Sequence, residues 1–275
     1  GASALITLLT ERIDAEVLDA AGTGLRIVAN CAVGYDNVDV ATAAERGIVV
    51  TNTPGVLDEA TADVAFGLVL AASRRLVEAD RFMRTGTDWI WGPQLFLGLD
   101  VSAGATLGIV GLGRIGLAVA RRAAAFNMSI LATGRRAGGE EARALGVEPA
   151  DLRRLLAESD VVSLHCPLTA ETRHLIGAEQ LRAMKPTAIL VNTARGPVVD
   201  ETALVEALRT GVIAAAGLDV YEDEPRPHPG LRELENVVLL PHIASAGRAT
   251  RDAMGKLAVD NVRAVLQGEP PRTPV

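Results

Sequence analysis

The 275-residue chain predicts an α/β architecture: a doubly wound parallel sheet beside a second, smaller α/β unit. Three observations carry this. Apolar runs at Thr106–Val110, Ser129–Thr133, Val161–Leu164, Ala188–Asn192, Ile213–Leu218 and Val237–Leu240 are joined by crossover-length segments, the pattern of buried parallel strands. A glycine-rich turn follows the first of these runs directly and opens an amphipathic helical stretch. The first fifty residues repeat the strand-then-helix rhythm on a smaller scale.

In chain order, strands are expected near Leu5–Leu9, Ile27–Asn30 and Ile48–Thr51, with helices over Asp14–Ala20 and Val40–Arg46. Thr53-Pro54-Gly55 breaks the pattern. A long apolar helix is expected from Glu59 to Arg84. Ala62, Ala65, Phe66, Val69 and Leu70 leave it little polar face, so it must be buried on several sides. Two readings are open for it, a central core helix or a helix shared with a second subunit. The six apolar runs then follow, with helices such as Ile115–Ala125 and Thr202–Arg209 between them. Pro241 ends the last strand. A C-terminal helix, Ala249–Leu266, is expected to return to the N-terminal unit. The division is therefore residues 1–55 with 250–275 as one domain and 56–249 as the other, with a cleft between them.

Hydrophobic residues make up 49% and charged residues 22%, as in a globular chain, which excludes a disordered tail protein. The net charge of -7 disfavours general nucleic-acid binding. The two cysteines, Cys31 and Cys166, are far apart, and no ligand spacing indicates a metal site or a disulfide framework. No uncharged apolar run reaches ~18 residues and no signal-peptide pattern is present, so a soluble, cytoplasmic protein without membrane association is expected.

Gly111-Leu112-Gly113-Arg114-Ile115-Gly116 reads G-x-G-x-x-G. Strand in and helix out is the order a dinucleotide-binding Rossmann unit requires. Gly111 permits the tight turn, Gly113 admits the pyrophosphate to the backbone, and Gly116 lets the helix pack closely on the strand. Amides at the helix start then face the phosphates. The next strand ends in Thr133-Gly134-Arg135-Arg136, with no acidic residue before Glu140 to hold an unphosphorylated ribose. Two arginines suit a 2′-phosphate, so NADP(H) is favoured, with NAD(H) as the alternative.

A parallel sheet presents its ligand at the C-terminal ends of its strands. The residues there are the glycine turn, Arg135 and Arg136, His165-Cys166-Pro167, Thr193-Ala194-Arg195-Gly196, Asp219 to Glu224, and Pro241-His242. Of the four histidines, His174 lies in a polar stretch and is expected at the surface, while His228, in the proline-rich loop Pro225–Pro229, is open to either a surface or a site reading. His165 follows a strand and is placed along the cofactor pocket; His242 follows the last strand and is placed at the cleft.

The sequence resembles the D-isomer-specific 2-hydroxyacid dehydrogenases over essentially its whole length. The matching stretches are VGYDNVD (33–39), TNTPGVLDEATADVAFGL (51–68), LGIVGLGRIG (107–116), HCPLTAETRHLI (165–176), VNTARGPVVDETALVEAL (191–208), GLDVYEDEP (217–225) and PHIASA (241–246). Within that family it looks most like the glyoxylate/hydroxypyruvate reductases, whose NADPH-accepting form the TGRR stretch resembles. The resemblance implies a Rossmann cofactor domain, a flavodoxin-like substrate domain and a homodimer. It implies a catalytic set in which Arg195 binds the substrate, His242 is the acid/base and Glu224 is its carboxylate, with Glu222 and Asp223 as solvated bystanders. Asp219 is implied near the nicotinamide, and Thr61, Pro167, Thr172, Thr193, Ala194 and Ala244 at the cofactor. The Val33-Gly34 backbone is implied to receive the substrate carboxylate.

The chemistry agrees with these residue types. A 2-keto acid needs a permanent cation for its carboxylate and carbonyl, and a proton for the forming alkoxide; arginine and a carboxylate-supported imidazole supply them without a metal.

The chain departs from the family in two places. The β-α portion normally found before the position of Ala4 is absent, so an incomplete substrate domain with an unpaired sheet edge is expected. Leu95 stands where a second tryptophan often accompanies Trp91, in a segment that reaches toward the partner subunit's site. The expected activity is reduction of glyoxylate or hydroxypyruvate. The alternatives are a phosphoglycerate- or formate-type branch of the family and a dinucleotide-sensing, corepressor-like binding protein.

Overall fold

Residues 1–275 are all described by a computed structural model, and they divide into two units, Gly1–Ala60 with Ser245–Val275 and Thr61–Ala244. The first is a three-stranded parallel sheet, β1 (Ala4–Thr7), β2 (Ile27–Asn30) and β3 (Val49–Thr51), in the order β1-β2-β3. The central strand β2 is buried throughout, and its side chains alternate between two cores. Val28 packs with Leu18 of α1 (Ala15–Ala21), Ala43 of α2 (Val40–Glu45) and Val50. Ile27 and Ala29 face Ala258 and Val265 of the C-terminal helix, Arg248–Gln267. Arg26 caps that helix, its guanidinium donating to the Val265 and Leu266 carbonyls at 2.5 and 3.1 Å. β1 stops at Thr7, short of the expected Leu9, because the Leu8 amide turns to the Glu11 carboxylate at 2.5 Å.

The second unit holds a seven-stranded, all-parallel sheet in the order β10-β9-β8-β7-β4-β5-β6. Its strands are β4 (Thr106–Val110), β5 (Ser129–Thr133), β6 (Val147–Pro149), β7 (Val161–Leu164), β8 (Ile189–Asn192), β9 (Ala215–Leu218) and β10 (Val237–Leu239). The order reverses between β4 and β7, which is where a doubly wound sheet opens a crevice for its ligand. One more strand is present than the apolar runs indicate. Only Val147 of β6 is buried, and its Pro149 is tolerated because the strand lies at the sheet edge.

Helices α3 (Asp58–Ser73), α5 (Arg114–Ala125), α6 (Glu140–Ala144), α7 (Leu152–Glu158), α8 (Ala178–Ala183), α9 (Glu201–Arg209) and α10 (Pro229–Arg232) accompany the sheet, with α4 (Leu76–Arg84) following α3. α3 and α4 replace the single helix expected from Glu59 to Arg84. The carbonyl of Ser73 accepts the Leu99 amide at 2.8 Å, so a returning segment ends α3 there. Gly98 makes this approach possible, since a Cβ on it would lie 2.1 Å from that carbonyl oxygen. Arg75 then turns into the left-handed region (φ 52) and binds the Glu78 carboxylate at 2.7 and 2.6 Å. α3 is buried on several sides as its sequence requires, whereas α4 buries no residue. No helix is long and apolar enough to cross a membrane.

Candidate active site

The groups implicated by sequence in the larger unit gather at the C-terminal ends of its strands. Directly after β4, Gly111 has φ 95, and a Cβ there would lie 2.6 Å from the Cys166 amide nitrogen, so the turn from β4 presses on the loop after β7. A Cβ on Gly116 would meet the Gly111 carbonyl oxygen at 2.7 Å, so α5 starts directly against the turn. Gly113 has nothing within 4 Å of its would-be Cβ and leaves the turn open on its outer side. Beside it, the amides that begin α5 at Arg114 and Ile115 have no acceptor within the helix. The Leu112 amide donates to the Thr133 carbonyl at 2.9 Å, tying the turn to the end of β5. There Gly134 (φ 114) leads into Arg135 and Arg136, both exposed.

The loop after β7 carries Pro167 and Thr172, joined by the Thr172 hydroxyl donating to the Pro167 carbonyl at 2.7 Å. His165 shares a 2.8 Å hydrogen bond with the Ser163 hydroxyl, and burial pushes its pKa down to about 4, so it is neutral at neutral pH. After β8, Asn192 shapes the next turn. Its side chain accepts from the Ala194 amide at 3.0 Å and donates to the Arg195 carbonyl at 2.9 Å. Thr193 beside it is buried, with a hydroxyl that has no protein partner.

Past β9 and β10 the site becomes a network. Buried Asp219 accepts the backbone amides of Ile243 and Ala244, one on each oxygen, at 2.7 and 2.8 Å. Those bonds hold the chain on the far side of His242, whose own φ is 55, a conformation uncommon outside glycine. Burial pushes the Asp219 carboxyl up, against the pull of the two amides. His242 Nδ1 lies 2.9 and 3.1 Å from the two Glu224 oxygens, and Glu224 also accepts the Tyr221 amide at 3.1 Å. Burial by itself would raise the Glu224 pKa. The hydrogen bond and charge of His242, the Tyr221 amide and the Arg195 charge together outweigh it, and the carboxyl is held below its ordinary value. Glu224 is therefore ionised at neutral pH, and its partner histidine has only Nε2 left for other chemistry.

One expectation needs correction and one open position is settled. Glu222 is no solvated bystander: it binds the His174 ring and accepts the Glu201 amide at 3.1 Å. His228, left open by the sequence, caps α10 by accepting the Gly230 amide on Nδ1 at 3.1 Å. Sequence reasoning also missed Asn192 and Tyr221, whose hydroxyl donates to the Leu240 carbonyl at 2.8 Å. A polar residue ending a buried strand was the available signal for Asn192.

Thr61 is buried on the first turn of α3. Val33 and Gly34 belong to the smaller unit. Their carbonyls are held by Asn52 Nδ2 at 2.8 Å and Asn30 Nδ2 at 2.9 Å, which fixes the loop after β2. No group of three or more His, Cys, Asp or Glu side chains comes together in a way that could hold a metal. A cavity of about 620 Å³ lies at the opposite, N-terminal edge of the larger sheet, among Ser73, Val77, Leu97, Leu99, Ile189 and Val238, away from these groups.

The glycine cradle, open where a pyrophosphate would approach and closed where helix must meet strand, fits a dinucleotide, and the unpaired Thr193 hydroxyl lies at a neighbouring strand end. Such a cradle on a sheet that also carries a carboxylate-bound histidine defines a nicotinamide-dinucleotide-dependent oxidoreductase.

Residues 66–244 match the family of the D-isomer specific 2-hydroxyacid dehydrogenase, NAD binding domain, and the chain belongs to the D-isomer-specific 2-hydroxyacid dehydrogenases. It is 59% identical over 271 residues to a glyoxylate reductase of Korarchaeum cryptofilum, covering 98% of this chain and 81% of that protein. A glyoxylate reductase of Thermococcus onnurineus is 56% identical over 275 residues, with the same coverage. Among solved structures, an NADPH-dependent glyoxylate/hydroxypyruvate reductase from Sinorhizobium meliloti, in complex with NADP and malonate, superposes with a TM-score of 0.89 at 43% identity. It covers 99% of this chain and 83% of that one.

Proposed function

We propose that the chain is an NADPH-dependent reductase of small 2-keto acids, glyoxylate or hydroxypyruvate, giving the D-2-hydroxy acid wherever the product is chiral. The observation that carries this reading is the His242–Glu224 pair at 2.9 Å, on the same sheet edge as Arg195 and the glycine turn. The dinucleotide would be held at Gly111–Gly116, Gly134–Arg136, Thr61, Pro167, Thr172, Thr193, Ala194, Asp219, His242 and Ala244, and the Val33-Gly34 backbone is assigned to the substrate carboxylate.

The bound cofactor supplies hydride to the carbonyl carbon. Arg195 binds the substrate carboxylate and polarises the carbonyl oxygen, and being an arginine it keeps its charge at every working pH. His242 delivers the proton to that oxygen from Nε2, because Glu224 engages Nδ1. The ionised Glu224 fixes the ring orientation through Nδ1. Asp219 contributes by holding the Ile243 and Ala244 amides, which sets where His242 sits. The substrate assignment is tested by comparing kcat/KM for glyoxylate, hydroxypyruvate and a bulkier 2-keto acid with NADPH. The two small acids should lead, and a clear preference for the bulky acid would contradict the assignment.

The cofactor preference rests on Arg135 and Arg136. Replacing both by alanine should lower the preference for NADPH over NADH by roughly tenfold or more, since a charge-assisted contact contributes about 1.5–3 kcal/mol. Gly134 is kept in this variant because its φ of 114 and a would-be Cβ 3.0 Å from the Leu112 nitrogen leave no relaxed place for a side chain. A wild-type protein that favours NADH would contradict the preference.

We also propose a two-fold homodimer, supported by the apolar side chains exposed along α4 and the following segment: Leu76, Met83, Trp89, Ile90, Trp91 and Leu97. Ile90 is 92% exposed in the single chain, an unusual state for isoleucine outside an interface. Sedimentation at micromolar concentration should give a dimer; a monomer would overturn this assembly.

A further inference from the structure

An acidic pair, Glu201 and Glu222, holds the chain on both sides of Glu224. Glu201, on the first turn of α9, is 5% exposed, and both of its carboxylate oxygens are used. One accepts the Glu222 amide at 2.7 Å and the other accepts the His228 amide at 2.9 Å. In return, Glu222 accepts the Glu201 amide at 3.1 Å and binds the His174 ring through its other oxygen. The two glutamates thus hold each other's backbone, and residues 222 and 228 are tied down on either side of Glu224.

The same clasp bears on the arginine turn. A Cβ on Gly196 would lie 1.8 Å from the Tyr221 carbonyl, so the backbone next to Arg195 rests on the backbone next to Glu222. His174 joins the two loops from a third side, its amide donating to the Pro197 carbonyl at 2.7 Å.

We infer that Glu201 and Glu222 are positioning residues for the reaction, forming a reciprocal carboxylate–amide clasp that sets Glu224 against His242. The inference rests on the proposed role of the Glu224–His242 pair. A buried carboxylate that accepts two backbone amides is a rigid support, and nothing in the clasp touches the glycine turn. Its loss should act on turnover and leave dinucleotide binding intact.

The test is a double-mutant cycle between Glu201→Gln and Glu224→Gln. The glutamine amide at 201 turns an NH₂ toward one of two backbone N–H donors, so one tether is lost. Glu201→Gln alone should lower kcat by roughly 10- to 100-fold, the cost of displacing a supporting group by about an ångström. The NADPH dissociation constant, read by fluorescence titration, should stay near the wild-type value. In the Glu224→Gln background the same change should lower kcat only slightly, because the group it positions is already disabled. Glu206→Gln, on the exposed side of the same helix, is the control.

Glu222→Ala gives an independent arm. It removes the acceptor for the Glu201 amide at a partly exposed position, should also lower kcat, and should show the same non-additivity with Glu224→Gln. Full multiplicative effects in both cycles, or wild-type kcat in Glu201→Gln and Glu222→Ala, would overturn the clasp. If Glu224→Gln itself leaves the kcat and its pH profile unchanged, the reading of the His242 pair fails first and the clasp falls with it.

Discussion

Replacing His242 by alanine should lower kcat for 2-keto acid reduction by about 10²–10⁴-fold, the usual contribution of a positioned general acid. Dinucleotide affinity should fall far less than kcat, because His242 is one of many proposed cofactor contacts and the glycine turn and the Ala194–Arg195 turn are held by other bonds: Leu112 to Thr133, and Asn192 to the Ala194 and Arg195 backbone. His165→Ala, His174→Ala and His228→Ala should not reproduce the loss. The His165 pKa is pushed down to about 4 by burial, so the ring is neutral and no general acid at neutral pH, His228 caps a helix, and His174 reaches Glu222 and not the reaction centre.

Glu224→Gln should behave differently from His242→Ala. Glutamine keeps an oxygen for Nδ1 but removes the negative charge. In the wild type the Glu224 carboxyl is held below its ordinary value, so activity should fall on the acid side only as pH drops through that lowered pKa and the carboxylate is protonated. Glu224→Gln has no carboxylate to protonate, so that acid-side fall should disappear while kcat at neutral pH is reduced. A pH–rate profile at saturating NADPH measures this. An unchanged acid-side fall in Glu224→Gln, or near-wild-type kcat in His242→Ala, would contradict the assignment.

The second large effect is expected at Arg195. Arg195→Gln should reduce kcat/KM for glyoxylate by about 10²–10⁴-fold, since two charge-assisted hydrogen bonds at roughly 1.5–3 kcal/mol each are lost from carboxylate and carbonyl. Arg195→Lys should recover little, because a point charge does not reproduce the planar pair of donors. The fall should appear in both kcat and KM, as the cation acts on the bound acid and on the developing alkoxide. Steady-state kinetics with an independent NADPH titration separate this from a folding defect. Unchanged kcat/KM in Arg195→Gln would remove the arginine from the site.

The parts of this site that follow from local pattern were legible in the chain. β4, the glycine turn and α5 form one continuous signal, and Gly111 and Gly116 meet the close contacts that their residue type implies. Strands β5 and β7 coincide with their apolar runs for the same reason, since a strand covered on both faces must be continuously apolar. What escaped was decided by distant partners. The end of α3 at Ser73 depends on an amide at Leu99 that arrives across an irregular segment, and nothing near residue 73 announces it. β6 was missed because an edge strand of three residues buries only Val147. Glu222 was read as solvated because its partners lie 21 and 48 residues away, at Glu201 and His174, on elements that only the folded sheet brings together.

Sequence order likewise gives no measure of how tightly His242 is held. Its left-handed backbone follows from Asp219, 24 residues upstream of Ile243, which accepts two successive amides after the histidine. That bond pair, the Glu224 carboxylate and the clasp behind it form successive layers of support for one imidazole. The proposed reduction asks for this arrangement, because proton delivery to a small acid would require the donor nitrogen to be fixed within hydrogen-bond reach of the carbonyl oxygen.

The most direct test of the central claim is stoichiometric turnover by the purified chain, with NADPH loss followed by its absorbance and glycolate formed from glyoxylate measured in the same samples. One glycolate should appear per NADPH oxidised, at a rate abolished in step by His242→Ala and Arg195→Gln. A chain that binds NADPH but oxidises none of it with glyoxylate or hydroxypyruvate would contradict the account.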